Sequence, residues 1–89
     1  MANFDNSSDV AMQLIRSLLL KRMKEKGLTY YSLAQLTGVN RLTLQRNLEG
    51  ETEMSLRTYL KICGALELRP YLIPSENDDR EMENRMFFN

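Results

Sequence analysis

The chain has 89 residues, which is room for one domain, and 43 % of them are apolar. It contains one cysteine, Cys63, and no histidine, so it lacks both the ligand spacing of common metal sites and a nucleophile beside a base. We therefore expect no enzymatic activity, no cofactor and no metal. The net charge is zero, but the charges are distributed unevenly along the chain. Residues 14–73 carry ten basic and five acidic side chains, while the two ends carry two basic and seven acidic ones. A basic body with acidic ends suits a nucleic-acid binder, and scattered surface charge explains it equally well.

No apolar run approaches the ~20 residues that span a bilayer, and the first nine residues lack the positively charged start of a signal peptide. The lone cysteine has apolar neighbours, which indicates a reduced, buried thiol. We expect a cytoplasmic protein without a membrane partner.

The first predicted element is a helix over about residues 10–26. Ser7, Ser8 and Asp9 are candidate N-caps, and Gly27 can end the helix in the left-handed conformation. Residues 1–8 are then an N-terminal arm. Spacings of three and four predict one buried apolar face, made of Ala11, Leu14, Ile15, Leu18, Leu19 and Met23.

Two short helices follow, joined by a tight turn. Thr29 is the expected cap of a helix over Tyr30–Thr37, and Asn40 caps a helix over about Arg41–Glu49. Gly38 separates them, and so short a connection predicts two helices that cross steeply. Their apolar sides are expected to be Leu33, Ala34 and Leu36 in the first helix, and Leu44 and Leu48 in the second.

Ser55 is the expected cap of a fourth helix, whose apolar face comprises Leu56, Tyr59, Leu60, Ile62, Cys63 and Leu66. Residues 66–73 then alternate like a strand, but Pro70 restricts any strand to a short or edge position. The domain is thus predicted over residues 9–73. Residues 74–89 form an acidic polar tail until Met86-Phe87-Phe88, interpreted as disordered, with a short helix or docking segment as the alternative.

Residues 27–50 contain an ordered set of marks: Gly-Leu-Thr at 27–29, Leu33-Ala34, Gly38-Val39, Leu44 and Glu49-Gly50. With this set the chain resembles the phage repressor/Cro-type helix-turn-helix proteins, the XRE family, over roughly residues 14–68. The resemblance implies an all-α fold of four to five helices. It also implies double-stranded DNA as partner, with the second motif helix in the major groove.

Carried over by position, the resemblance implies a set of DNA-binding residues. Arg41, Leu42, Gln45 and Arg46 would face base edges, where Arg suits guanine, Gln suits adenine and Leu suits the thymine methyl. Asn40 and Thr43 would lie near phosphates, and Thr29 and Tyr30 would bring the start of the other motif helix to the backbone. The alternatives are solvated helix surface for the arginines and packing around the first helix for one of Tyr30 and Tyr31.

Two departures from the family pattern carry predictions. The family's partly buried arginine–glutamate pair is replaced by Met23 and Leu48. Because both partners are apolar, no buried charge is left without a partner. The two side chains are therefore expected to touch. Asn47 stands where the family prefers an apolar residue. It predicts that the end of the third helix is shifted or exposed.

Three functions remain open from the sequence: a repressor-like transcriptional regulator, an antitoxin, and a helix-turn-helix module that binds only protein. Residues 65–74 look like the end of HipB-type antitoxins, whose tail would contact a toxin. A neighbouring toxin gene would favour the second function, and absence of salt-dependent DNA affinity the third. We also predict a homodimer through Leu66–Ile73, by exchange of a short C-terminal β-strand. The alternative folds this segment back over the first helix.

Overall fold

A computed structural model describes residues 4–74 of the chain, with side chains from residue 7 onward. It has four α-helices: α1 (Phe4–Glu25), α2 (Tyr30–Thr37), α3 (Arg41–Leu48) and α4 (Leu56–Ala65). Over these residues the all-α prediction is confirmed. Helix α3 packs against α1 and α2, and α4 packs against α2. The predicted tail lies outside the described residues from residue 75 on, and no helix in 4–74 is long and apolar enough to cross a membrane.

The three predicted N-caps are confirmed. The Thr29 hydroxyl accepts a hydrogen bond from the amide of Ser32 (3.1 Å), and the Ser55 hydroxyl accepts one from the amide of Thr58 (3.1 Å). Asn40 caps α3 in the same way through its side-chain oxygen. Each cap satisfies an amide that the first helical turn leaves without a partner, which fixes where the helix begins.

The turn between α2 and α3 depends on Gly38. Its φ is +75°, and its amide donates to the Ala34 carbonyl (2.8 Å), so α2 ends in a left-handed residue. Nothing lies within 4 Å of the position that a Cβ would take. Only the backbone conformation therefore demands glycine here, at a cost to other residues of about 1–2 kcal/mol.

The start of α1 differs from the prediction. The helix begins at Phe4 rather than near residue 10, so residues 4–8 of the expected arm are helical. No glycine or proline interrupts residues 4–9. The candidate caps Ser7, Ser8 and Asp9 therefore lie within the first two turns of the helix instead of opening it, at only a small cost in helix propensity.

One core joins all four helices. Its buried members are Leu19, Met23, Leu33, Leu44, Leu48, Met54, Ile62, Cys63 and Leu66. Met23 and Leu48, which are predicted to touch, both belong to it, and the contact between them stays a prediction. Burying these side chains is the main favourable term that holds the short helices together.

The apolar faces are wider than the core that covers them. Leu14 and Leu18 were expected to be buried, but each is 59 % exposed, and Ala11 is exposed too. Leu36 on α2 and Leu56 and Leu60 on α4 are likewise exposed. Periodicity identifies which residues share a face, but how much of that face is covered depends on the size of the neighbouring helices.

The expectation that Asn47 shifts or exposes the end of the third helix is wrong. Asn47 is buried, with 4 % of its surface exposed. Its side-chain amide donates to the Thr52 hydroxyl (2.8 Å) and, more weakly, to the Glu53 carbonyl (3.4 Å). The end of α3 is therefore held in place by the following loop. The helix ends at Leu48, one residue before the predicted Glu49.

Asn47→Asp is expected to lower the free energy of unfolding by about 1–3 kcal/mol, because a carboxylate cannot donate these bonds and is buried with a charge. Urea unfolding at neutral pH measures this. Gln45→Glu, the same chemical change at a half-buried position of α3, is the control. Equal losses for both variants would show that the bonds of Asn47 contribute nothing specific.

Two contacts connect the end of α4 to α1; we call them the clasp. The Arg22 Nε donates to the Leu66 carbonyl (3.0 Å), and the Lys26 ammonium contacts the Glu67 carboxylate. That contact, a hydrogen bond with an ion pair, lowers the pKa of Glu67. Glu67 itself has φ +57°, and the amide of the next residue, Leu68, donates to the Cys63 carbonyl (2.8 Å), closing α4.

Beyond the clasp, residues 68–73 return along the domain as a loop, which we call the extension. Residues 68–70 lie beside Leu18 and Arg22 of α1, and Tyr71 and Leu72 lie beside Ile15 of α1 and the start of α4. Residues 66–73 form no strand in the described part of the chain. This arrangement agrees with the alternative of a segment folded over the first helix, and strand exchange between subunits stays a prediction.

Candidate DNA-binding surface

The outer face of α3 presents the residues that the resemblance singled out. Leu42 and Arg46 are exposed and lie one turn apart, on the side opposite Leu44, which is fully buried. Arg41 and Thr43 are exposed beside them. The fixed core side of α3 thus leaves two guanidinium groups and an apolar side chain facing solvent, which is the chemistry that reads base edges in the major groove.

Asn40 closes the N-terminal end of this face. Its side-chain oxygen accepts from the amides of Leu42 (2.9 Å) and Thr43 (3.2 Å). The amide of Arg41 and the side-chain NH₂ group of Asn40 find no acceptor among residues 4–74. These donors, at the positive end of the α3 dipole, suit a phosphate oxygen.

Gln45 differs in exposure from the other predicted base-contacting residues, because it is half-buried on the flank of α3. It shares the face with Arg41, one turn earlier. A half-buried amide at this position needs a closer approach of the DNA than an exposed guanidinium does.

The side chain of Thr29 stabilises the start of α2 as its N-cap. Its hydroxyl accepts from the Ser32 amide, while its own amide donates to the Ser32 hydroxyl (2.8 Å), which completes a capping box. The amides of Tyr30 and Tyr31 find no acceptor among residues 4–74. Contact between this end of α2 and the DNA backbone would therefore involve those two amides rather than the Thr29 hydroxyl.

The two tyrosines occupy different environments. Tyr30 is half-buried against the core and its hydroxyl donates to the Glu49 carboxylate (3.1 Å). Burial raises the pKa of Tyr30, and the hydrogen bond to Glu49 raises it further. Tyr31 is exposed, and its hydroxyl accepts from the side chain of Gln35 (3.2 Å).

Tyr31 is a surface residue that the carried-over set omitted, and helical spacing could have revealed it. Tyr30 precedes the buried Leu33 by three positions and so shares its inward face, whereas Tyr31 does not. The structure shows Tyr30 packed against the core, and packing around the first helix, the alternative for one of the pair, stays a prediction.

Tyr30→Phe is expected to lower the free energy of unfolding by about 0.5–1.5 kcal/mol at neutral pH, because it removes the bond to Glu49. The pKa of Tyr30 is raised above 10.0 in the fold, so this stabilisation is complete below pH 10.0 and is lost as pH rises through the folded pKa. Urea unfolding of the parent and of the variant at neutral and at strongly alkaline pH measures the difference. Tyr31→Phe is the control, and an equal loss there would contradict the role of Glu49.

A family model described as the Cro/C1-type HTH DNA-binding domain matches residues 19–71, more than half of the chain. The match includes the last seven residues of α1, all of α2, α3 and α4, and most of the extension. The chain belongs to the Cro/C1-type helix-turn-helix family. No curated protein and no solved structure matches it.

Membership of the Cro/C1-type family supports DNA binding as the general function of the domain. The motif helices of this Cro/C1-type domain are α2 and α3, whose predicted contact residues are described above. They are Thr29, Tyr30, Asn40, Arg41, Leu42, Thr43, Gln45 and Arg46. Their individual contacts with DNA stay predictions.

Proposed function

We propose that this protein is a repressor-like transcriptional regulator that binds double-stranded DNA sequence-specifically, with α3 in the major groove. The observation that carries the proposal is the exposed face of α3 around Leu42 and Arg46, held outward by the buried Leu44. Within a Cro/C1-type domain this face is the one that reads bases.

The charge distribution supports the same assignment. Residues 14–73 have a net charge of +5, although the chain as a whole is neutral. Phosphate contacts from lysine and arginine release counterions, so affinity should fall steeply as salt rises. The predicted base contacts would add a sequence-dependent contribution to the affinity, and that contribution should not fall with salt in the same way.

Selection of bound duplexes from a random pool tests the proposal, followed by fluorescence anisotropy on the selected and a scrambled duplex at several salt concentrations. We expect one enriched sequence and a salt-dependent affinity for both duplexes that is stronger for the selected one. Affinity without enrichment would contradict sequence specificity. Absence of salt-dependent affinity for any duplex would falsify DNA binding and would favour a protein-binding module.

The regulator acts as a homodimer through the extension and the neighbouring face of α4. One motif reads only a few base pairs, and domains of this type bind two half-sites about one helical turn apart. Leu72 is 100 % exposed in the monomer, and Tyr71, Ile73 and Leu56 are exposed near it. Leu60, also exposed, follows Leu56 by one turn of α4. These apolar side chains form a surface that a two-fold partner can cover.

Light scattering at tens of micromolar tests the dimer. We expect the mass of two chains for the parent and of one chain for Tyr71→Ser/Leu72→Ser, because the variant removes the most exposed apolar area. Leu36→Ser, at an exposed leucine of α2, should remain dimeric. A monomeric parent would contradict the dimer, and an unchanged mass for the double variant would move the interface elsewhere.

A further inference from the structure

A second apolar surface lies on α1, at a groove that the core leaves open. Its rim is formed by Leu18, Lys21, Arg22, Leu68, Arg69 and Pro70, and we call it the α1 groove. Its volume is about 390 Å³, within the ~300–1,000 Å³ of ordinary ligand clefts. Val10 and Leu14 continue the exposed apolar stripe along α1 from Leu18, one turn apart.

The rim of the α1 groove is cationic. It has three basic side chains, Lys21, Arg22 and Arg69, against one acidic side chain, Glu25. Arg22 is occupied, because it bonds the Leu66 carbonyl and lies 3.7 Å from the Glu25 carboxylate. Lys21 and Arg69 have no ion-pair partner among residues 4–74. The groove therefore favours a ligand that is apolar and carries negative charge.

The chain itself contains a segment with that chemistry. Residues 75–89 carry five acidic and two basic side chains, and they include the apolar run Met86-Phe87-Phe88. Two adjacent phenylalanines bury ~150–250 Å² each when they find a pocket. A second copy of the groove is a poorer occupant, because two-fold symmetry would set one cationic rim against the other.

The connection is long enough for this segment to return. Pro70 is part of the rim, and the four residues from there to Pro74 span at most about 14 Å. The chain from Pro74 to Phe87 can extend up to ~45 Å. Reaching back to the groove thus requires only a fraction of the available length.

We propose that the α1 groove binds Met86-Phe87-Phe88 of the same chain, with the preceding acidic residues against Lys21 and Arg69. The phenylalanines cover the apolar groove beside Leu18, and the carboxylates compensate the two cations. The groove shares residues 68–70 with the segment that is proposed to join the dimer. Its α1 side, at Leu18 and Lys21, belongs neither to the predicted DNA-binding residues nor to the exposed apolar surface around Leu72.

A spin label on the full chain tests the inference, through Asn89→Cys. Cys63 is 3 % exposed and should remain unlabelled, which mass spectrometry checks. We expect the label to erase most of the amide NMR signal of residues 14–22 and 68–70 and to spare residues 41–46. Phe87→Ser/Phe88→Ser or Leu18→Ser should restore the signal, and Leu36→Ser should not.

Each other outcome overturns the proposal. Weak, even broadening over the whole domain would show that the segment does not dock. Loss of signal at residues 41–46 instead would place the acidic residues over the DNA-binding face. In a mixture of labelled, isotope-free chains with unlabelled, isotope-enriched chains, broadening of the groove would show that the occupant comes from a second copy.

Discussion

Leu48→Glu is expected to lower the free energy of unfolding by several kcal/mol, on the order of 3–5, because it buries a carboxylate without a partner. Leu48 is 1 % exposed and lies in the same core as Met23 of α1. Adding Met23→Arg should recover part of the loss, since it recreates the charged pair typical of the family. Urea unfolding of the parent, both single variants and the double variant gives the coupling energy.

The single variant could lose its fold entirely, since a domain of this size has little stability to spare. In that case the far-ultraviolet circular dichroism of the double variant provides the readout, and helix content should return with Met23→Arg. Leu48→Met is the control for size, with an expected loss below ~1.5 kcal/mol. Independent effects of the two substitutions would reject a contact between α1 and α3 at this point.

Arg41→Ala and Arg46→Ala are each expected to weaken binding to the selected duplex by about 1–3 kcal/mol, or roughly 5- to 150-fold. Both side chains are exposed on α3, beside the fully buried Leu44. Each variant should also relax the preference at one base pair, because an arginine that forks onto a guanine discriminates it from other bases.

Anisotropy titrations on a set of single-base variants of the duplex measure both effects. Lys21→Ala removes a cation from the outer face of α1 and should leave the base preference unchanged. If a variant loses the same affinity for every duplex, its arginine contacts phosphates rather than bases. If both variants bind every duplex as the parent does, α3 is not the reading helix.

Local chemistry predicted the starts of α2, α3 and α4 well, although not that of α1, because an N-cap depends on a few neighbouring atoms. The hydroxyl of Thr29 and the amide oxygen of Asn40 lie beside the amides that they satisfy, so short stretches of sequence contain the whole interaction. The positive φ of Gly38 is likewise decided within one turn. The family marks at these positions placed α2 and α3 correctly.

The extent to which each apolar helix face is buried could not be predicted in the same way. Leu14 and Leu18 have the right spacing for a core face, but whether they are covered depends on how far α4 and the extension reach. Asn47 was expected to loosen α3, and instead it is held by Thr52 and Glu53. Those bonds need a loop conformation that no periodicity describes.

For the tyrosine pair, carrying residues over by position gave no information on how each ring packs. The pattern placed Tyr30 at the DNA backbone, and its hydroxyl donates to Glu49, the residue that caps the C-terminal end of α3. That pairing is a contact across the motif, nineteen positions apart in the chain. The sequence indicated only that Tyr30 lies on the same inward face of α2 as Leu33.

The clasp between α1 and α4 has a consequence for the length of an operator. The path of residues 68–73 along the domain begins where Arg22 and Lys26 contact Leu66 and Glu67. In a dimer joined through those residues, the span between the two reading helices depends on this path. Substituting Arg22 or Lys26 would then change the number of base pairs tolerated between half-sites, while the bases preferred within each half-site stay the same.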